Sequence, residues 1–173
     1  MNDNMSWMAP FDVTTFFEAG ANRVLPDFGA PEGEIHLNLG AGHKRIAGSI
    51  PLDLPDWDSD ENDIPFSDES VSVIHAYHIL EHVGDPIRLL RECQRVLIPG
   101  GTLNIVVPYF RSQGAYDDLD HRHFFTEETW RTQFSSPYYD KGHDGWKFRI
   151  GLNIIMALNE RNLMLFTQLI KET

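Results

Sequence analysis

The chain has very little cysteine, and the one cysteine that it has cannot form an internal disulfide. Cys93 is the only cysteine among 173 residues. Its surroundings, LLRECQRVL, place it among apolar residues at helical spacing, which favours a buried position on a helix. Disulfides persist in oxidising compartments and are rare in reducing ones. We therefore expect a cytoplasmic protein.

Long apolar runs and basic residues are also scarce. No run reaches the roughly 18 apolar residues that a membrane-spanning helix needs, and the first ten residues, MNDNMSWMAP, lack the pattern of a signal peptide. The 14 basic residues are outnumbered by 26 acidic ones, which gives a net charge of −12. Such a charge repels phosphate backbones and anionic lipid surfaces. We therefore expect no nucleic-acid partner and no membrane partner.

Two short motifs predict a nucleoside site. The segment IHLNLGAG, residues 35–42, ends in closely spaced glycines, and Asp53 follows in the next apolar segment. Glycines let a ligand approach the backbone, and a carboxylate at the tip of the next strand can hold a ribose diol. Asp53 comes 13 residues after Gly40, whereas a dinucleotide fold has a helix here and its acid roughly 20 residues on. The short spacing favours a cofactor without phosphate, such as S-adenosylmethionine, over a nicotinamide dinucleotide.

The remaining pattern predicts an α/β fold. Strands are expected over 35–39, 49–54, 71–77 and 102–108, with helices from Asp85 and Pro86 to about Leu97 and from Thr126 to about Phe134. Residues 146–154 alternate between apolar and mostly polar, and residues 163–170 complete a C-terminal antiparallel hairpin. This is a Rossmann-like, mostly parallel open sheet, which binds ligands outside the carboxyl ends of its strands.

We expect one domain over residues 1–173, because this length suits a single core. Its parts are an N-terminal lead-in (1–33, with a short helix or irregular segment over 11–24 and a loop over 26–33), a cofactor-binding core (35–108), a substrate loop and helix (109–145) and the terminal hairpin (146–173).

Two histidine motifs are compatible with metal binding. His78, Glu81 and His82 form the HxxEH pattern of inverted zinc peptidases, but the pattern follows a strand here instead of lying within a long helix. His121 and His123, with Asp117, Asp118 and Asp120 nearby, are a second possible ligand set. The context argues against a zinc site in the first motif, and hydrogen bonding to substrate or to the loop's own backbone is the simpler interpretation of the second. We therefore assign no metal ligand.

The segment 109–125, YFRSQGAYDDLDHRHFF, is long, polar and aromatic, and ordered loops of this kind usually carry function. Aromatic rings that could stack on adenine or substrate, or simply pack, are Trp57, Tyr109, Tyr116, Tyr138 and Tyr139. The candidate substrate-binding residues are Tyr109, Tyr116, Asp117, Asp118, His121 and His123.

Taken in order, LNLGAG, the acid of PLDLP, DENDIPFSDESVSVIHAYHILEHV, RVLIPGG and TLNIVVP resemble the class I S-adenosylmethionine-dependent methyltransferases, specifically the type 11 group. The segment GAYDDLDHRHFFT also resembles a loop that covers the active site in one branch of that group. By this resemblance Leu39, Gly40, Ala41 and Gly42 lie against the methionine part of the cofactor. Asp53, with Leu54 beside it, takes the ribose hydroxyls, Asp60 and Glu61 face adenine, and His78 lies near the methyl donor.

The resemblance also has departures. The family usually has a full helix after the glycines and a third strand before its adenine loop, and both are reduced or absent in this sequence.

The predicted function is methyl transfer from S-adenosylmethionine to a small-molecule or carbohydrate-like acceptor. A hydroxyl or amine acceptor needs a base, and the candidates are His78, His82 and His121, because neutral imidazole suits proton transfer near neutral pH. The alternatives are a non-catalytic S-adenosylmethionine-binding partner of a second enzyme and a nicotinamide dehydrogenase. The oligomeric state stays open.

Overall fold

The computed structural model describes residues 34–43, 45–135, 145–159 and 161–173. The predicted lead-in over 1–33, with its helical segment at 11–24 and its loop at 26–33, lies outside the described residues. So do Tyr138 and Tyr139. None of the helices described is long and apolar enough to cross a membrane.

Six strands form one mixed sheet. They are β1 (His36–Leu39), β2 (Ile50–Leu52), β3 (Val71–Tyr77), β4 (Leu97–Pro108), β5 (Phe148–Ala157) and β6 (Leu163–Lys171). Their order across the sheet is β2-β1-β3-β4-β6-β5. The first four strands pair in parallel, and β6 pairs antiparallel with both β4 and β5. The predicted fold class, a mostly parallel open sheet with a C-terminal antiparallel hairpin, is confirmed.

The connections before and after β2 contain no helix and no strand among the residues that the structure describes. Between β1 and β2 the described residues form turns and an isolated bridge but no helix, and none of residues 53–70 lies in a strand. The prediction that the first crossover helix and the third strand are reduced or absent is therefore confirmed for the described part of the chain. As a result β2 stands at the edge of the sheet, and the acidic connection, residues 53–70, links it to β3.

Helix α1 (Pro86–Val96) covers the sheet with one apolar face. Asp85 is its N-cap and accepts a hydrogen bond from the Arg88 amide at 3.0 Å, and Pro86 occupies the first turn, where a missing N–H costs nothing. Its buried residues are Leu89, Leu90, Cys93 and Val96. The predicted helix and the predicted burial of Cys93 are both confirmed.

The second helix, α2 (Glu127–Ser135), packs by aromatic contacts. Thr126 and Thr129 cap its start reciprocally, because each hydroxyl accepts a hydrogen bond from the other residue's amide. Trp130 is buried and stacks on Phe125 at 5.4 Å between ring centroids. The prediction that Thr126 begins a helix is thereby confirmed.

The start of β4 differs from the prediction. The sequence indicated a turn at Pro99–Gly101 and a strand from residue 102, whereas β4 already begins at Leu97. The pairing with β3 jumps from Val71↔Leu97 to Val73↔Thr102. The turn residues thus form a bulge inside the strand and leave the register after Thr102 intact.

Candidate active site

The glycine bend after β1 is the floor of the site. Gly40 has φ +60, and its amide donates a hydrogen bond to the Leu52 carbonyl at 2.8 Å, which ties the bend to β2. A Cβ atom at Gly40 would lie 2.9 Å from the Ile79 Cβ atom. Both the left-handed backbone and the close approach of Ile79 therefore require glycine at this position.

Asp53 links the end of β2 to the same bend. Its Oδ2 atom accepts a hydrogen bond from the Gly42 amide at 2.5 Å, and its Oδ1 atom accepts one from the Leu54 amide at 2.9 Å. Each carboxylate oxygen has a further lone pair. The side chain therefore fixes the bend and can still accept from a ligand's hydroxyl groups.

A cavity of about 360 Å³ opens at this edge of the sheet. Its size is within the range of small-molecule sites. Its lining residues come from the glycine bend, the acidic connection and the turn after β3, and they are Gly40, Gly42, Asp53, Leu54, Trp57, Asp58, Ser59, Asp60, His78, Ile79, His82 and Val83. The structure thus brings together residues that the sequence separates by up to 43 positions.

Three of the predicted cofactor residues do not line this cavity. Leu39 and Ala41 are buried in the core, and Glu61 is exposed. Asp60 does line the cavity, but its carboxylate is also engaged. Its Oδ1 atom accepts from the Gly84 amide at 2.7 Å, and its Oδ2 atom lies 3.6 Å from Arg122.

His78 stands in the turn that follows β3. It has φ +58, and its amide donates to the Val106 carbonyl at 2.8 Å. Its Nδ1 atom lies 2.9 Å from Oε1 of Glu81, whose side chain is only 1% exposed. Because a carboxylate only accepts hydrogen bonds, Nδ1 of His78 is the donor, which leaves Nε2 as the acceptor of the neutral ring.

The loop over residues 116–124, which we call the covering loop after the loop that it resembles, is attached to the turn that contains His78. The amides of Arg122 and His123 both donate to the Glu81 carbonyl, at 2.7 and 3.3 Å. The His123 ring donates through Nε2 to the Val83 carbonyl at 2.9 Å. The His121 ring instead donates through Nδ1 to the Ala115 carbonyl at 3.0 Å and lies 4.7 Å from the His82 ring, centroid to centroid.

The other predicted substrate residues are spread out. Tyr109 is part of the hydrophobic core, where burial and, less strongly, a hydrogen bond with Glu127 raise the pKa of its hydroxyl. Tyr116 is 58% exposed and stacks on Phe124. Asp117 and Asp118 are exposed, and Asp118 accepts from the Asp120 amide within the loop. None of these four residues lines the cavity.

Sequence analysis did not assign a role to Ile79 or Glu81. Ile79 supports the glycine bend, and no sequence pattern distinguishes it from an ordinary core residue. Glu81 holds the His78 ring, and its signal was the carboxylate within HxxEH. A larger depression of about 630 Å³ lies between α2 and β5, and it shares no lining residue with the cavity.

The fold places a cavity at the carboxyl ends of its parallel strands, where open α/β sheets bind their ligands. Residues 37–105 match the family described as "Methyltransferase domain", of type 11. The resemblance to the type 11 group of S-adenosylmethionine-dependent methyltransferases is therefore confirmed, and this class of enzyme uses S-adenosylmethionine as its cofactor.

Curated relatives agree over part of the chain. Two Mycobacterium tuberculosis proteins, one from each of two strains, both named "Probable S-adenosylmethionine-dependent methyltransferase", are 31% identical over 80 residues. The match covers 46% of this chain and 29% of each relative. The chain thus matches less than a third of the length of these relatives.

Solved structures share the fold. A chain in the complex of the Haloferax volcanii Trm112 methyltransferase activator with a methyltransferase is 17% identical, with a TM-score of 0.60 over 83% of this chain and 85% of that one. An S-adenosylmethionine-dependent methyltransferase from Mesorhizobium loti is 15% identical, with a TM-score of 0.58 over 82% and 94%. The [4+2]-cyclase SpnF is 13% identical, with a TM-score of 0.58 over 82% and 76%. Because a cyclase is among these neighbours, the fold alone does not define the reaction.

Proposed function

We propose that this protein transfers a methyl group from S-adenosylmethionine to a hydroxyl or amine of a small-molecule or carbohydrate-like acceptor. The observation that carries the proposal is that one cavity contains both a glycine and carboxylate cradle (Gly40, Gly42 and Asp53) and an oriented imidazole (His78). A purely cofactor-binding protein needs the cradle but has no use for the imidazole. The family and curated matches likewise do not favour the non-catalytic alternative.

The residues present fit the cofactor. The bare backbone of Gly40 and Gly42 allows a ligand to lie against the bend, and no atom outside the bend lies within 4 Å of where a Gly42 Cβ atom would stand. Asp53 offers two carboxylate oxygens for the ribose hydroxyls, and Asp60 and Trp57 line the wall where adenine would lie. The bound cofactor supplies a methyl group activated by the adjacent sulfonium.

His78 is the strongest candidate for the base. The buried Glu81 carboxylate orients its ring by accepting a hydrogen bond from Nδ1–H, so that Nε2 can accept a proton from the acceptor. His82 also lines the cavity, whereas His121 does not line it and its ring contacts the His82 ring. The main contribution of the protein is then to align the acceptor with the donor carbon.

The partners and the compartment follow from composition. The net charge of −12 supports a small acceptor in preference to a nucleic acid, and the single buried Cys93 supports action in the cytoplasm. The activator named in the Haloferax volcanii complex also makes an activating protein a partner to test, since the two folds are similar.

Methyl transfer is tested with S-adenosylmethionine labelled in its methyl group and a fractionated extract of small metabolites and glycans. The wild-type chain should transfer label to one fraction and should bind S-adenosylhomocysteine but not NADH. In His78→Gln, whose amide can still donate to Glu81, kcat should fall by about 10²-fold or more while S-adenosylhomocysteine affinity changes little. His43→Gln is the control, because His43 is exposed and does not line the cavity.

Three outcomes would contradict the proposal in different ways. Binding of S-adenosylhomocysteine without transfer to any fraction would favour the non-catalytic alternative. Binding of NADH in its place would favour a dehydrogenase. A fully active His78→Gln variant would remove His78 from the chemistry and leave the cofactor assignment intact.

A further inference from the structure

We infer that Glu81, His82 and His121 form a binding site for a divalent transition-metal cation at the wall of the cofactor cavity. Each residue offers one ligand atom, and these atoms all lie within 4.8 Å of one another. The set takes two residues from the HxxEH motif and one from the HRH segment of the covering loop. Neither motif contains the complete set, and the fold brings them together.

The carboxylate supplies an independent reason to expect a cation. Glu81 is only 1% exposed, and its Oε1 atom is engaged with His78. Its Oε2 atom is buried and has no hydrogen-bond partner among the residues that the structure describes. An unsatisfied buried carboxylate oxygen is costly, so such an atom is expected to have a ligand.

The two imidazoles are suitably arranged for coordination. The His121 ring donates through Nδ1 to the Ala115 carbonyl at 3.0 Å, which leaves the Nε2 lone pair available. Metal-binding histidines usually have an outer hydrogen bond of this kind, because it fixes the ring and its tautomer. The covering loop is also held at the site by the Arg122 and His123 amides, which bind the Glu81 carbonyl.

Two imidazoles and one carboxylate are the ligands of Zn²⁺, Fe²⁺, Mn²⁺ or Co²⁺, whereas Mg²⁺ and Ca²⁺ prefer oxygen alone. Bonds of about 2.1 Å to a tetrahedral ion would place the ligand atoms about 3.4 Å apart. Pairs at the 4.8 Å limit must therefore approach by about 1.4 Å. Rotation of side chains at a partly exposed site can supply such a contraction.

The position of the site indicates what the cation would do. His82 lines the cofactor cavity beside His78. Three protein ligands leave at least one coordination position open, and a metal in that situation binds and polarises an oxygen ligand. This part of the inference rests on the proposed function: the acceptor would be an oxygen compound, such as a diol or an enol, whose reacting hydroxyl binds the metal.

A simpler explanation exists for the two histidines alone. Their rings meet edge to face at 4.7 Å, and this contact is stabilising without a metal. It leaves Oε2 of Glu81 unsatisfied, however. The two explanations therefore differ in whether the isolated protein binds a cation, which can be measured directly.

The test is a titration of the chelator-treated full chain with Co²⁺, followed by visible absorption and by calorimetry. One equivalent of Co²⁺ per chain should bind, and its visible absorption bands should be those of an ion with few ligands. Added Zn²⁺ should displace the bound Co²⁺. His82→Ala, His121→Ala and Glu81→Gln should each weaken Co²⁺ binding by at least tenfold. His123→Gln is the matched control, because it changes a histidine of the same loop that binds the Val83 carbonyl, and it should keep Co²⁺ binding.

S-adenosylhomocysteine binding on the same variants separates this inference from the proposed function and reports correct folding. Variants that bind S-adenosylhomocysteine normally but have lost Co²⁺ support the metal site. Wild-type protein that binds S-adenosylhomocysteine but takes up no Co²⁺ or Zn²⁺ would overturn the metal site and leave the proposed function standing. Stoichiometric Co²⁺ binding that His82→Ala and His121→Ala do not weaken would also overturn it, because the ion would then lie elsewhere.

Discussion

At the scale of single residues, the two glycines of the bend have different constraints. Gly40 and Gly42 both have positive φ, but only Gly40 has a neighbour within contact distance of a Cβ atom. The sequence motif predicted that both positions lie near a ligand. The motif could not distinguish the two glycines, because Ile79 lies 39 positions after Gly40 in the sequence. The two residues come into contact only because β1 and β3 pair in the sheet.

Replacing these glycines by alanine should therefore have unequal effects on stability. Gly42→Ala should cost about 1 kcal/mol, the strain of a left-handed alanine. Gly40→Ala should cost about 3 kcal/mol, because overpacking against the buried Ile79 adds to the same strain. Urea unfolding of both variants measures the difference. Equal losses would mean that Ile79 moves aside without cost.

The sequence predicted which histidines could act as a base but not which of them is the best placed. The sequence identified His78, His82 and His121 as candidates but gave no basis for ranking them. In the structure the Glu81 carboxylate orients His78, and the Ala115 carbonyl orients His121. The ranking of the three histidines depends on these hydrogen-bond partners. One of the partners is a main-chain carbonyl, that of Ala115, and no side-chain pattern marks it.

At the scale of elements, the polar face of α1 holds the acidic connection in place. The Arg95 guanidinium donates to the carbonyls of Ile64 and Phe66, each at 2.9 Å, and to the carboxylates of Asp68 and Glu92. The hydrogen bond from Arg95 is the main reason that the pKa of Glu92 lies below its usual value. Because Trp57 and Asp60 line the cavity from the same connection, α1 supports one wall of the site.

Loss of this clamp should destabilise the fold far more than loss of an exposed ion pair. Arg95→Gln should reduce the free energy of unfolding by about 2 kcal/mol, because two carbonyls and two carboxylates lose a charged donor. Arg131→Gln on α2 removes only an exposed pair with Glu128 and should cost less than about 0.5 kcal/mol. Chemical unfolding measures both. Similar losses would show that the clamp contributes little.

Elements with strong local signals were predictable. Asp85 and Pro86 fixed the start of α1, and the alternation after Trp146 revealed β5. The early start of β4 was not predictable, because Pro99 and two glycines favour a turn. Pairing of Leu97 with Val71 instead keeps these residues within the strand as a bulge.

At the scale of the whole molecule, stability should depend on pH through a histidine inside the sheet. His75 is 3% exposed on β3, and its Nδ1 atom lies 3.0 Å from the Tyr77 hydroxyl. Burial first, and the nearby His36 second, lower the pKa of His75 from 6.5 to about 3. The unfolded chain therefore binds this proton below pH 6.5 while the folded chain does not.

The contribution of His75 to the free energy of unfolding is thus fully present above pH 6.5, and it decreases as the pH falls from 6.5 toward 3. Between pH 6.5 and about 5 the wild type should lose up to about 2 kcal/mol relative to His75→Gln. The difference between the two proteins is the quantity to measure, since acid also relieves repulsion within a chain of net charge −12. His43→Gln is the exposed control. If the free energy of unfolding changes with pH equally in the wild type and in His75→Gln, the lowered pKa of His75 is wrong.

The order of the strands across the sheet was not predicted, because periodicity reveals strands but not their neighbours. The short interval between the glycines and Asp53 did predict the missing helix, since the residues available cannot form one. The resemblance predicted that the covering loop lies over the active site, but the hydrogen bonds that attach the loop to the turn after β3 could not be predicted. They are main-chain hydrogen bonds to Glu81, which leave no pattern in the side chains.

Asp53 has two roles that cannot be altered separately. The same oxygen pair that would select a ribose also restrains the main chain at Gly42. A mutation that changes nucleoside preference through this side chain would also release the bend, so specificity and scaffold would have to evolve together. Engineering a different cofactor into this domain should therefore begin at Trp57 or Asp60, whose contacts do not hold the glycine bend.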